Sequence, residues 1–294
     1  MTILVTGSTG NIGSQVLAHL QGQGVAEIRA LTRAPEKARL GAGVTPVKGD
    51  LADVDSLRAA LSGVSTLFLM VPNVADELTQ AMLAMNAARD AGVKGIVYLS
   101  VFKSAGYVDV PHFTGKHAVE RMIEAENLPV TVLRPAYFIQ NDLRQKEALL
   151  THGVYGMPIG QRGISMVDTR DIGAAAASEL LRRERSGTPL GSEAYELVGP
   201  DSLNGAGVAA IWSEVLGRSI RYGGDDLELL EQRMKAFDQA WHAYDIKLMF
   251  RRYQADGAVA SAADVSRLTG LLGRAPRSYR DFAKEAAAQW GLTA

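Results

Sequence analysis

Residues 3–13 read Ile3-Leu4-Val5-Thr6-Gly7-Ser8-Thr9-Gly10-Asn11-Ile12-Gly13, a short apolar run that passes directly into three evenly spaced glycines. A helical spacing of apolar side chains follows, at Ile12, Val16, Leu17 and Leu20. In such a strand–turn–helix unit, glycines permit a tight turn, a close approach of the backbone to a pyrophosphate, and close packing of the helix on the sheet. The helix N-terminus adds free N–H donors and a partial positive charge. The pattern therefore predicts a dinucleotide-binding turn built from Gly7, Thr9, Gly10, Asn11, Ile12 and Gly13.

The rest of the first 135 residues alternates between apolar runs and helical patterns. Further strands are predicted at 28–32, 44–48, 66–71, 95–100 and 130–133, and helices at 54–61, 78–91 and 113–126. Near-continuous apolar strands separated by helices indicate a parallel sheet that is covered on both faces. The predicted fold is therefore α/β, a Rossmann-like doubly wound parallel sheet.

After residue 135 the pattern changes. Glycines and prolines cluster at 153–163, a short strand is predicted at 164–167, a helix at 169–183, another strand at 194–198, and mainly helices beyond 201. An apolar stripe at helical spacing comprises Leu230, Met234, Phe237, Trp241, Tyr244 and Leu248. It predicts one apolar helix face that packs in the core or between domains, or alternatively lines a pocket for an apolar substrate. We expect a nucleotide-binding domain at 1–135, with helix 169–183 packed back onto it, and a smaller, mainly helical substrate-binding lobe at 136–294.

Composition excludes several classes of function. There is no cysteine among the 294 residues, which removes disulfides, thiolate catalysis and iron–sulfur ligation, and no metal-binding motif is present. The 31 basic and 32 acidic residues nearly cancel without a basic stripe, so no nucleic-acid partner is expected. No apolar stretch reaches the ~18 residues of a membrane span. The absence of cysteine fits a cytoplasmic protein, which is the compartment that we expect. Its partner is then a small molecule, and a homodimer remains an open alternative to a monomer.

Arg33 ends the second predicted strand, twenty residues after Gly13. An acidic residue near this position holds the ribose hydroxyls of NAD, whereas an arginine accommodates the 2′-phosphate of NADP. Lys37 is close enough in sequence to assist. The predicted cofactor is therefore NADP(H), and the alternative is an arginine that is merely solvated at a strand end.

The ends of the other predicted strands supply further cofactor candidates, because ligands of such sheets lie beyond the carboxyl ends of the strands. Val71, Pro72 and Ser100 follow the fourth and fifth strands and are expected to flank the dinucleotide. Asp50 and Leu51 follow the third strand, where the adenine is expected. The Asp50 carboxylate either accepts from the adenine amino group or caps the helix that begins near Asp53.

Taken together, these segments resemble the NmrA-like family of atypical short-chain dehydrogenases/reductases. The resemblance rests on 7–13, Thr32-Arg33, Gly49-Asp50-Leu51, Pro111-His112-Phe113-Thr114-Gly115-Lys116 with Val119-Glu120, Leu133-Arg134-Pro135-Ala136-Tyr137-Phe138-Ile139-Gln140-Asn141, and Val167-Asp168-Thr169-Arg170-Asp171-Ile172. Within the family, the NADPH:quinone oxidoreductase and triphenylmethane reductase types are the most similar. The resemblance implies a Rossmann domain that carries NADP and a C-terminal lobe that closes over the nicotinamide.

The catalytic candidates depart from the usual pattern of short-chain dehydrogenases, which place a tyrosine four residues before a lysine. Lys116 is present, and the resemblance implies that it contacts the cofactor or substrate; the alternative is a solvated surface lysine. The residue four positions earlier, however, is His112. A histidine on the same helix face can deliver protons near neutral pH. The alternative is a helix-start histidine that is hydrogen-bonded to nearby backbone. Tyr137 is a further catalytic candidate, and it lines the acceptor pocket with Phe138 and Asn141 or else packs in the core.

The absence of this tyrosine narrows the range of reactions that we expect. Hydride transfer to a quinone or a cationic dye makes weak demands on a protein acid, because the cofactor carries the chemistry and the protein supplies position and a dry site. The sequence therefore favours an NADPH-dependent oxidoreductase that acts on a quinone or a similarly flat, apolar acceptor. The alternative is a non-catalytic NADP(H)-binding redox sensor. A sugar-nucleotide epimerase is disfavoured, since it needs the tyrosine–lysine pair.

Overall fold

The computed structural model describes residues 2–21, 23–25 and 27–292. Its strands are β1 (Thr2–Val5), β2 (Glu27–Thr32), β3 (Val44–Lys48), β4 (Thr66–Leu69), β5 (Gly95–Leu99), β6 (Val130–Pro135), β7 (Val154–Tyr155), β8 (Glu193–Leu197) and β9 (Arg221–Tyr222). Its helices are α1 (Asn11–Gln21), α2 (Val54–Leu61), α3 (Glu77–Asp90), α4 (Pro111–Ala125), α5 (Lys146–His152), α6 (Thr169–Arg185), α7 (Gly205–Leu216), α8 (Leu227–Lys235), α9 (Ala240–Asp256), α10 (Ala262–Leu272) and α11 (Tyr279–Gln289).

Seven strands form the central sheet, in the order β3-β2-β1-β4-β5-β6-β8. The pairs from β3 to β6 are parallel, as expected of strands joined by crossover helices. The strand order reverses between β1 and β4, which creates the crevice where ligands of doubly wound sheets bind. The predicted α/β doubly wound fold is thus confirmed.

The chain divides into two units. The first comprises Met1–Ala105, His112–Arg134 and Thr169–Tyr195, and the second comprises Gly106–Pro111, Pro135–Asp168 and Glu196–Ala294. In the first unit, α6 packs against α1 so closely that a Cβ on Gly173 would lie 2.5 Å from the Cβ of Gln15. This contact explains why a glycine stands inside α6.

Strand β4 is shorter than its apolar run predicts, since it ends at Leu69 rather than at residue 71. At this point the Thr6 side chain takes the place of the neighbouring strand's backbone as the hydrogen-bond partner of Met70. Its hydroxyl both accepts from the Met70 N–H and donates to the Met70 carbonyl, each at 2.8 Å. The ladder therefore stops where a side chain takes over the hydrogen bonds, which an apolar pattern does not reveal.

Two predictions for the second unit are wrong. The segment 164–167 forms isolated bridges from Ile164 and Val167 and not a strand. The apolar stripe is not one helix face, because α8 ends at Lys235 and α9 begins at Ala240. Three stripe residues lie on the surface instead of in the core, with exposed fractions of 73% for Phe237, 37% for Trp241 and 49% for Tyr244.

A buried carboxylate lies at the centre of the second unit. Asp142 accepts hydrogen bonds from three tyrosine hydroxyls, Tyr137 at 3.0 Å, Tyr155 at 2.9 Å and Tyr279 at 2.5 Å. The Trp212 indole N–H donates in turn to the Tyr279 hydroxyl, at 3.1 Å. Burial raises the pKa of Asp142 to about 6, although the three phenol donors act in the opposite direction.

Among the described residues, no helix combines the length and the apolar composition that crossing a membrane requires.

Candidate active site

The glycine turn is sterically fixed at its first and last positions. Gly7 has a φ of 59°, and a Cβ there would lie 2.1 Å from the Cε of Met70. A Cβ on Gly13 would lie 2.2 Å from the Gly7 carbonyl oxygen. At Gly13 the close atom belongs to the backbone, so another residue there would displace the turn. At Gly7 the close atom is the end of a flexible side chain, and glycine is favoured there by the left-handed φ.

The ligand side of the turn is open. Thr9, Gly10 and Asn11 are exposed, while the side chain of Ile12 is buried, so that only its backbone can contact a ligand. Helix α1 begins at Asn11, and the first N–H groups of a helix lack intrahelical acceptors. The turn therefore presents backbone donors without a Cβ in the way, which fits the pyrophosphate of a dinucleotide.

Arg33 and Lys37 follow β2 and are exposed. In the part of the chain that the structure describes, neither side chain forms an ion pair, so both cations are available to an anion. The Ser8 hydroxyl donates to the Leu31 carbonyl at 2.9 Å and so ties the glycine turn to the strand that carries Arg33. The 2′-phosphate contact of Arg33 stays a prediction.

Asp50 does not cap the following helix, so that alternative is wrong. The cap of α2 is Asp53, whose carboxylate accepts from the N–H groups of Asp55 and Ser56. One oxygen of Asp50 accepts instead from the Ala52 N–H, at 3.0 Å. Leu51 is buried beside this turn. Adenine recognition by Asp50 and Leu51 stays a prediction.

The residues after β4 and β5 that are expected to flank the cofactor differ in their exposure. Val71 is buried and Pro72 is exposed. Ser100 is only 2% exposed, and its hydroxyl donates to the carboxylate of Glu120. Glu120 also accepts from Arg134, with 2.7 Å between Nη2 and Oε2. The Ser100 hydroxyl therefore belongs to a buried polar network, which leaves its backbone for a ligand, and the contacts of Val71, Pro72 and Ser100 with the cofactor stay predictions.

Lys116 lies in a buried ion pair that the sequence did not suggest. Its Nζ is 2.5 Å from Oε1 of Glu77 and 3.4 Å from the carbonyl oxygen of Leu99. The two side chains are 12% and 8% exposed. In the sequence, Glu77 resembles an ordinary first-turn acid that favours a helix N-terminus, so nothing relates it to a lysine 39 positions later.

His112 occupies the first turn of α4, and its ring packs edge to face against Phe113 with centroids 4.7 Å apart. This geometry is compatible with the backbone-bonded alternative and with proton delivery, and the latter stays a prediction.

The substrate candidates lie in the second unit, where Tyr137 takes a structural position. Its hydroxyl is bound to Asp142 and its ring contacts Phe250, while burial raises the pKa of Tyr137 well above its ordinary value. A buried phenol that already donates to a carboxylate is a poor proton donor, which weighs against catalysis by Tyr137, and its catalytic role stays a prediction. Phe138 and Asn141 are half-buried, and their contact with a substrate stays a prediction.

The remaining cofactor candidates share one edge of the sheet. The glycine turn, Arg33, Asp50, Pro72 and Lys116 all come from segments that follow parallel strands, whose carboxyl ends meet at that edge. Among the described residues, no group of three or more histidine or acidic side chains is arranged to hold a metal ion. The arrangement can bind a phosphorylated dinucleotide.

Comparison with known proteins identifies the family. The sequence model of the NmrA-like family matches residues 1–269. The NAD(P)H azoreductase of Xenophilus azovorans is 33% identical over 293 residues, which cover 98% of this chain and 99% of the relative. The solved NADPH-dependent quinone oxidoreductase of Escherichia coli, complexed with NADPH, has a TM-score of 0.85 and 26% identity, covering 96% of this chain and 99% of that one. The triphenylmethane reductase of Citrobacter sp., complexed with NADP(H), has a TM-score of 0.84 and 26% identity, covering 97% and 100%. The chain belongs to the NmrA-like family, as its motifs predicted.

Proposed function

We propose that the protein uses NADPH to reduce a quinone or a similarly flat, apolar acceptor. The broader statement, that it is an NAD(P)H-dependent reductase, rests on its relatives, which include an NAD(P)H azoreductase and a quinone oxidoreductase. The predicted cofactor agrees with the NADPH and NADP(H) that two of the similar solved structures carry. The choice of NADPH over NADH and the nature of the acceptor are the parts that we propose.

The observation that carries the proposal is the glycine turn together with Arg33. Arg33 follows the strand whose Leu31 carbonyl accepts a hydrogen bond from Ser8 in the turn. Backbone N–H groups at the start of α1 hold the pyrophosphate, and the exposed guanidinium of Arg33 binds the 2′-phosphate with help from Lys37. Lys116 donates to the nicotinamide ribose. When bound, the nicotinamide supplies the hydride, and these residues fix where it lies.

The proposed acceptor is one that does not need a proton from a tyrosine of the protein. His112 stands where a tyrosine acid is usual, and the hydroxyl of Tyr137 is engaged with Asp142. A quinone that receives hydride can take its proton from water, so it does not need a protein acid. An azo compound, the substrate class in the name of the azoreductase relative, is likewise flat and aromatic.

The test is the rate of NADPH oxidation by the purified protein with a panel of quinones and azo dyes. Arg33→Ala should raise the KM for NADPH about tenfold to a hundredfold, because a charge-assisted contact of about 1.5–3 kcal/mol is lost. The KM for NADH should stay unchanged. Arg39→Ala, which removes another exposed arginine six residues later, is the matched control.

Equal losses for NADPH and NADH in Arg33→Ala would contradict the assignment of the 2′-phosphate. Tight NADPH binding without turnover of any acceptor would favour the redox sensor over the reductase.

A further inference from the structure

Glu77 and Lys116 reach the same place from two neighbouring strands. Glu77 is the first residue of α3, in the segment after β4, and Lys116 lies in α4, in the segment after β5. Strands β4 and β5 are parallel neighbours, with Phe68 opposite Val97. Both side chains are therefore delivered to the cofactor edge of the sheet.

The carboxylate of Glu77 depends on Lys116 alone. Both of its oxygens are buried, and neither accepts a well-directed hydrogen bond from any residue that the structure describes. The close contact with the Lys116 ammonium is ionic in character. A carboxylate so placed would lose its compensating charge if the lysine moved away, and an uncompensated buried charge is strongly unfavourable. The pair therefore restrains the lysine as much as it neutralises the acid.

Such a pair is a costly way to gain stability. Removing two ions from water carries a large desolvation penalty, which their attraction offsets only with good geometry. A glutamate in the first turn of a helix is stabilised equally well in solvent. The arrangement makes more sense as a means of orienting the ammonium, because a lysine side chain is otherwise a flexible stem with rotatable donors.

We propose that Glu77 is a positioning residue that holds Lys116 ready for the nicotinamide ribose. This inference rests on the proposed function. The ammonium has three N–H donors. The Leu99 carbonyl accepts from one of them, and the ionic contact with Glu77 holds the ammonium in place. The other donors are left for a ribose hydroxyl. Glu77 itself contacts no ligand, since both of its oxygens lie beneath the surface.

The test compares two ligands by calorimetry. NADPH carries the nicotinamide ribose, whereas adenosine 2′,5′-bisphosphate carries the 2′-phosphate but lacks that ribose. Glu77→Gln should weaken NADPH binding about tenfold, a change of about 1.4 kcal/mol, and leave the bisphosphate within about twofold. Asp76→Asn, an acid-to-amide change at the exposed neighbouring residue, should alter neither affinity.

A double-mutant cycle adds a second readout. If Glu77 acts through Lys116, then Glu77→Gln combined with Lys116→Met should bind NADPH no more weakly than Lys116→Met alone. Should Glu77→Gln fail to fold, Glu77→Asp keeps the charge but shortens the stem. It should still weaken NADPH selectively, because the ammonium is drawn away from its position.

The outcomes separate this inference from the function on which it rests. If Glu77→Gln leaves NADPH affinity unchanged, or weakens both ligands equally, the positioning role is overturned while the cofactor assignment stands. If the unaltered protein binds neither ligand, the proposed function fails and the inference fails with it.

Discussion

Asp142 offers a test of the second unit that needs no substrate. Its pKa rises from an ordinary value of 3.8 to about 6, chiefly because burial disfavours the charged form. At about 1.4 kcal/mol per pKa unit, that difference corresponds to about 3 kcal/mol. We therefore expect Asp142→Asn, which removes the titration but keeps the shape, to change the pH dependence of stability.

The sign follows from proton binding. Between pH 3.8 and 6 the folded protein holds the Asp142 proton and the unfolded chain does not, so stability falls as the pH rises. This contribution is fully present below pH 3.8 and is lost as the pH passes 6. Relative to Asp142→Asn, the unaltered protein should lose about 2 kcal/mol of unfolding free energy between pH 4 and pH 7.

Tryptophan fluorescence during urea denaturation is the assay. Trp212, Trp241 and Trp290 are all of the tryptophans in the chain, and all lie in the second unit, so the signal reports on the unit that contains Asp142. Asp55→Asn is the control, because that side chain is 96% exposed. If the stability difference between the unaltered protein and Asp142→Asn were the same at pH 4 and pH 7, the buried charge would not be costly and the reasoning would be refuted.

Two further predictions concern glycines. Gly13→Ala places a methyl group 2.2 Å from the Gly7 carbonyl oxygen, and the displaced turn should weaken NADPH binding at least about tenfold in calorimetry; an unchanged affinity would contradict the sterics described above. Gly173→Ala places a methyl group 2.5 Å from the Cβ of Gln15, and this overpacking should lower the unfolding free energy by about 1–3 kcal/mol in urea. Gly187→Ala, where no atom lies within 4 Å, is its control, and equal effects of the two changes would count against close packing.

The sequence predicts the first unit well because its signals are local. Apolar strands, helical spacing and the glycine turn each depend on neighbouring residues, and the alternation between them leaves few topologies. The boundaries differ where a side chain competes with the backbone, as Thr6 does at the end of β4.

The second unit shows what local patterns miss. The stripe from Leu230 to Leu248 keeps helical spacing, but α8 ends at Lys235 and α9 begins only at Ala240. Near that break the Asp238 carboxylate accepts from the N–H of Gln239 at 2.7 Å and contacts the His242 ring at 2.6 Å. A periodic pattern does not reveal that the helix is interrupted between Lys235 and Ala240.

Sequence reasoning missed the residues that form ion pairs or hydrogen bonds with the candidates it identified. Lys116 was identified by its motif, but its ion pair with Glu77 depends on the pairing of β4 with β5. Tyr137 was identified as an aromatic near a strand end, but its hydroxyl donates to Asp142, and another partner of Asp142, Tyr279, lies 137 residues away from it. Contacts of this separation are products of the fold.

The hydrogen bond from Ser8 to the Leu31 carbonyl has a consequence for attempts to alter the cofactor preference. In addition to the backbone pairing of β1 with β2, it links the strand before Arg33 to the loop that we propose receives the pyrophosphate, so the spacing between the two proposed anion-binding points depends on this hydroxyl as well. Grafting a segment of different length or conformation after β2 would shift that carbonyl and loosen the loop as well. A redesign for NADH would therefore succeed by changing side chains on the existing backbone, and would fail if it replaced the segment as a whole.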